Sequence, residues 1–122
     1  SGMTGHKINK GGSVVNSMIT DGCRISGSVK HSILFAGVKV EEGAEIEDAV
    51  IMGGTIIKKG AKVKHCIVAE NAIIGENAVI GSMPTDESSG VATVGAGVYV
   101  GDGAVITADA MIYENVKDGE VK

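Results

Sequence analysis

Tryptophan is absent from this chain of 122 residues, and leucine, proline and arginine occur once each, at Leu34, Pro84 and Arg24. Phe35, Tyr99 and Tyr113 are its only aromatics, so no core can be assembled around large rings. A helix bundle is excluded as well. Valine and isoleucine number 30 together, and β-branched side chains are stiff at χ1 and favour strands over helices. The lone proline rules out polyproline and collagen compositions. Cys23 and Cys66 form no CxxC pair, which argues against a disulfide framework and for reduced thiols in a cytoplasmic setting. The formal net charge of −4 leaves no basic footprint for nucleic acid. No apolar run approaches the roughly 20 residues that span a bilayer, and no basic-then-apolar leader opens the chain.

Glycine is abundant instead, at 19 residues, roughly twice the usual share. Its placement follows an internal repeat, which takes precedence over any local reading. From Val29 onward the chain aligns with itself at a shift of 17 residues. One column reads Val29, Ile46, Val63, Ile80; a second Leu34, Ile51, Val68; a third Val40, Ile57, Ile74. Valine, isoleucine and leucine make up about a quarter of the chain, so ten matches in ten arise by chance roughly once in a million. Val14, Ile19 and Ile25 extend the series upstream, and Val94, Val100, Ile106 and Ile112 continue it downstream at steps of six.

Three short strands per 17-residue winding make a coil with three sides, its aliphatic residues pointing at the axis. Sharp turns between the strands need positive φ, which glycine tolerates best and Asn, Asp and His next best. The expected corners are Gly37, Gly54, Asn71; Gly43, Gly60, Asn77; and Asn16, His31, Asp48, His65. Stacked strands lie about 4.8 Å apart, so residues one winding apart touch. Glu41 then faces Lys58, Glu42 faces Lys59, Glu45 faces Lys62 and Glu47 faces Lys64, charge pairs that set the register. The expected fold is all-β: a single-stranded parallel β-helix of about five to six windings, roughly 25–30 Å long.

The expected organisation is a lead-in over 1–13, in which Ser1 and Gly2 read as a cloning remnant, and the β-helix over 14–112. Within it, Ser82–Gly90 (SMPTDESSG) carries the lone proline and no core aliphatic, and is expected as an excursion loop. The polar stretch 113–122 is expected to leave the helix or fray.

Chemistry-bearing residues are few. His31, Asp48 and His65 share an outward corner column, but histidines about 10 Å apart cannot hold one metal, and corner geometry alone accounts for all three. Cys23 is aligned with Ala44, Ala61 and Ala78, and Cys66 with Ser17, Ser32 and Ala49, so both read as small fillers. The glycines of GAGVYVG, Gly95–Gly101, fall at hexad corners and open no helix, which disqualifies them as a phosphate loop. No catalytic, cofactor or metal residue is assigned. Ile56 and Val79, aliphatic between corners, are candidate interface residues.

The string GCRISGSVKHSILFAGVKVEEGAEIEDAVIM, Gly22–Met52, resembles the carboxy-terminal β-helix of bacterial glucose-1-phosphate adenylyltransferase, also called ADP-glucose pyrophosphorylase. The likeness runs over about Val14–Gly81, through GGTIIKKGAKVKHCIVAENAIIGENAVIG. It implies the left-handed hexapeptide form of the β-helix, whereas crossover rules alone favour the right hand. It implies a longer parent that makes ADP-glucose and pyrophosphate from ATP and glucose 1-phosphate with Mg²⁺, feeding glycogen synthesis. This segment would build the homo- or hetero-tetramer, contact its own catalytic domain and border a cleft for an allosteric metabolite. The family's GGxGxRLxPLT-type loop is missing here, so this segment alone implies no cofactor. Non-catalytic regulatory subunits carry the same string. A hexapeptide acyltransferase using CoA and a boundary histidine, His31 or His65, is the alternative; a γ-type carbonic anhydrase would need three convergent histidines and zinc. A Thr-rich ice-binding face is excluded, since Thr55 is the only threonine of the regular windings that approaches one.

Overall fold

The computed structural model describes residues 5–85, 87 and 90–122. Its sixteen strands pair in parallel wherever they meet, and among the described residues there is no helix. The chain winds left-handed, about six times, around a triangular prism.

Each aliphatic column of the sequence becomes one file along the axis. On the first face Val14, Val29, Ile46, Val63, Ile80 and Ile106 stand in register. On the second, the file is Ile19, Leu34, Ile51, Val68, Val94 and Ile112. The third runs Ile8, Ile25, Val40, Ile57, Ile74 and Val100. Ile46, Val63 and Ile80 are at most 1 % exposed. A second inward position, two residues earlier, takes smaller groups such as Ala44, Ala61 and Ala78. The core is therefore thin, aliphatic and free of rings.

The corners fall where the sequence placed them. Asn16, His31, Asp48 and His65 have φ of 46°, 46°, 53° and 45°. Gly43, Gly60 and Asn77 form another left-handed column, at 72°, 69° and 57°. Strands Glu45–Ile51 and Lys62–Val68 each run through the corner at Asp48 and His65, joining the first face to the second.

Register changes once. Ile80 pairs with Val63 at the 17-residue step, but Val94 pairs with Val68 at 26 residues, an excess of nine. Ser82–Gly90 has that length; within it Asp86, Ser88 and Ser89 lie outside the described residues.

Both expected boundaries of the β-helix are too narrow. Lys7–Ile8 already pairs with Arg24–Ile25 inside the expected lead-in. At the other end, the stretch expected to fray instead completes another winding: Val116 bridges Val100 and Val121 bridges Val105. Polarity misled because a corner needs polar residues. Asn115 Oδ1 accepts from Tyr99 N at 2.9 Å, Asp118 Oδ1 accepts from Asp102 N at 2.9 Å, and Gly119 turns the chain at φ 68°.

The charge ladder is partly rearranged. Lys64 lies 3.3 Å from Glu47 and 3.6 Å from Glu45, so it takes both carboxylates rather than leaving Glu45 to Lys62. Residues two apart on one strand share a face, which brings the diagonal neighbour within reach. Glu41 accepts from Lys59 N and pairs with Lys39 at 3.8 Å, while Lys58 lies over the Tyr99 ring, 5.8 Å from its centroid.

Candidate functional site

The corner column between the first and second faces holds the densest chemistry. Its backbone must turn through positive φ at each winding, and His31, Asp48 and His65 do so one above another. Stacking brings their side chains together. Asp48 Oδ1 accepts from His31 Nδ1 at 3.1 Å, and Asp48 Oδ2 accepts from His65 Nδ1 at 2.5 Å. One carboxylate thus bridges two imidazoles. His31 is exposed, whereas His65 and Asp48 are largely covered.

An imidazole held at Nδ1 by a carboxylate has its tautomer fixed, leaving Nε2 as the position for proton exchange or metal binding. The two rings lean on opposite oxygens of Asp48 and do not converge. Among the described residues no three His, Cys, Asp or Glu side chains are grouped to share a metal ion.

Beside this corner runs an open groove of about 360 Å³, bordered by His31 and Asp48 and floored by Met18, Ile33, Ala49 and Val50. Its floor is apolar and its polar groups stand on one rim. A second hollow, of about 460 Å³, lies at the C-terminal end beneath Ile112, where Glu114, Glu120, Lys117 and Lys122 mix both charge signs.

The remaining sequence candidates are structural. Cys66 stacks on Ala49 and Ala92 and is buried; burial, with the Asp48 charge adding to it, pushes its thiol up to about 12. Cys23 is fully buried and donates to Phe35 O at 3.1 Å; burial raises its thiol pKa too. Its column is not the one assigned from sequence. The hydrogen bonds place Cys23 with Val38, Thr55 and Ala72 on the third face, not with Ala44 and Ala61 on the first. All of these residues precede an inward aliphatic by two, so spacing alone could not separate the faces. Ser32 lies above Ala49 and is buried; its hydroxyl donates to Lys30 O at 2.7 Å and accepts from Ala49 N at 3.1 Å. Thr55, the threonine nearest to an ice-binding pattern, is buried and donates to Ala69 O at 2.8 Å. Gly97 and Gly103 are corners at φ 68° and 66°, with no helix behind them to cradle phosphate. Ile56 and Val79 are half-buried. The groove was not legible in the sequence: its floor residues belong to no repeated motif, and a corner's hollow depends on how windings overhang.

Triangular windings, inward aliphatic files and left-handed corners define a hexapeptide-type β-helix. Residues 3–101 match the family described as GlmU-like, C-terminal hexapeptide, and the chain belongs to that family. It is similar to glucose-1-phosphate adenylyltransferase of Acetivibrio thermocellus, with 56 % identity over 41 residues, which is 34 % of this chain and 10 % of that protein. The enzyme of the same name from Bacillus cereus is 58 % identical over 33 residues, 27 % of this chain and 9 % of that one. The likeness read from Gly22–Met52 is thereby borne out, and the matched stretch spans about a tenth of those relatives. Among solved structures, a mutant perosamine N-acetyltransferase from Caulobacter crescentus, bound to CoA and GDP-perosamine, superposes with a TM-score of 0.73 at 14 % identity, covering 90 % of this chain and 53 % of that one. A hexapeptide transferase family protein from Anaplasma phagocytophilum gives a TM-score of 0.60 at 17 % identity over 98 % of this chain and 76 % of that one. These two likenesses establish the fold alone.

Proposed function

We propose that this chain is the carboxy-terminal assembly and regulatory segment of a glucose-1-phosphate adenylyltransferase. The longer parent would convert ATP and glucose 1-phosphate into ADP-glucose and pyrophosphate with Mg²⁺, in the cytoplasm and toward glycogen. The observation that carries the reading is the 56 % identity over 41 residues to an enzyme of that name. Two features of the chain support it. It offers no glycine-rich, arginine-bearing loop for ATP phosphates, and its one arginine, Arg24, lies on a strand of the third face. Its surface also presents far more uncharged strand face than a solitary solenoid needs. In this role the β-helix holds subunits together and transmits a metabolite's binding to a catalytic domain elsewhere in the parent.

The test is an ADP-glucose assay with ATP, Mg²⁺ and glucose 1-phosphate. The chain alone gives no product; the gene product containing it is active, or raises the activity of a partner subunit. A parent gene with no nucleotidyltransferase segment overturns the reading.

The His31–Asp48 contact favours one second reading, a hexapeptide acyltransferase. A carboxylate-held imidazole beside an apolar groove could take the proton from an amine or hydroxyl that attacks an acyl thioester. This reading expects calorimetric binding of acetyl-CoA, and acyl transfer lost in His31→Ala. Absence of CoA binding removes it.

A further inference from the structure

The second face of the prism presents no charge between its corners. Its first outward file is Met18, Ile33, Val50, Ile67, Thr93 and Met111, matched rung by rung. A second outward file, beyond the inward aliphatics, includes Phe35, Met52 and Tyr113 with small residues between them. The other faces are charged, with Lys30, Glu47 and Lys64 on the first and Lys7, Arg24 and Lys39 on the third. Met18, Met111 and Tyr113 are 66 %, 65 % and 62 % exposed. An apolar tract running the length of a molecule is a surface built to be covered.

We propose that this face closes on the same face of a second copy of the chain, about a two-fold axis parallel to the solenoid. Size is the first argument. Six windings at about 4.8 Å and a side of five to six residues at about 3.3 Å give a face of about 29 by 18 Å. Two such faces remove on the order of 1,000 Å² from water, the lower bound of a specific interface.

Shape is the second argument, and it selects the axis. The groove lies along one edge of the face, beside His31 and Asp48. At the opposite edge of the same windings stand Phe35, 44 % exposed, and Met52. A two-fold axis along the solenoid preserves height and exchanges edges. Each copy's Phe35 and Met52 therefore meet the other's groove, and one operation fills both grooves in a closed, isologous contact. The groove rim does not oppose closure: the Asp48 carboxylate already holds two imidazoles, so covering it strands no unpaired charge. The interface deepens the assembly role proposed above, rests on that role only for the expectation of partners, and leaves the ADP-glucose assay to stand or fall separately.

Sedimentation equilibrium tests it. The chain is expected at twice its 12.3 kDa mass. Ile67→Lys and Phe35→Ser each weaken association at least about tenfold while circular dichroism stays unchanged, and Ile56→Lys on the third face leaves the dimer intact. Two folded variants guard against a loss caused by unfolding of one. An equimolar mixture of Ile33→Cys and Phe35→Cys chains forms mixed disulfides faster than either forms its own. A wild-type monomer up to about 1 mM, a trimer, a dimer indifferent to both variants, or preferential self-crosslinking overturns the proposal.

Discussion

Lys64 holds its ammonium 3.3 Å from Glu47 Oε1 across one step of the stack, with both side chains partly covered. The pair reports register, because a slip by one residue would carry both charges inward. Its energy is small, since partly exposed pairs contribute at most about 1 kcal/mol. Glu47→Lys, which sets a third ammonium between those of Lys30 and Lys64, is therefore expected to lower stability by about 1 kcal/mol. Val63→Asp puts a charge on the dry axis and costs several kcal/mol, enough to unfold a short solenoid. Thermal melts rank the two, and the reverse order would refute the inward assignment of Val63.

The corner at Gly60 makes a second test. A Cβ built there would lie close enough to clash with Asn77 Oδ1, and the backbone stands at φ 69°. Gly60→Ala should cost about 1–2 kcal/mol from backbone strain alone, with the clash added. Gly60→Ala combined with Asn77→Gly removes the clash and recovers only part of the loss. Full recovery in urea melts would show that the left-handed backbone is not the constraint.

Asp48 separates backbone tolerance from side-chain chemistry. Asparagine adopts its φ of 53° readily, whereas valine does not. Asp48→Asn is expected to keep the fold and lose the charge-assisted bonds to His31 and His65. Asp48→Val should be less stable than Asp48→Asn by about 1–2 kcal/mol. Equal melting temperatures for the two variants would contradict a corner role.

Alkali should find Cys66. Its folded pKa is raised by burial from an ordinary value near 9 to about 12, so the folded chain keeps a proton that the unfolded chain releases. The stabilisation is whole below pH 9 and is lost as pH rises toward 12, by up to about 1.4 kcal/mol per pH unit. Urea melts of wild type and Cys66→Ala should converge or cross between pH 9 and 10, while a pH-independent difference would show the thiol is not shielded. In native protein the thiol should also resist alkylation at pH 8.

Much of this architecture could be read directly. Val29, Ile46, Val63 and Ile80 announce their file because an axis admits only aliphatic residues, and Gly43, Gly60 and Asn77 announce a corner because few residues accept positive φ. What escaped was anything decided between windings. Cys23 fits two columns equally well until hydrogen bonds choose its face. Val116 and Val121 sit among polar neighbours, so the last winding looked like a tail. The bridging of His31 and His65 by Asp48 depends on side-chain rotation, which a repeat does not encode. The uncharged second face was visible residue by residue, but Met18, Ile67 and Met111 read as neighbours only once the register is known.

Methyl-to-methyl nuclear Overhauser contacts along the axis test the central claim most directly. Val29 should contact Ile46, Ile46 should contact Val63, and Val63 should contact Ile80, with no cross-peak skipping a member. Skipped or missing neighbours in that series would mean that 17 residues do not make one winding.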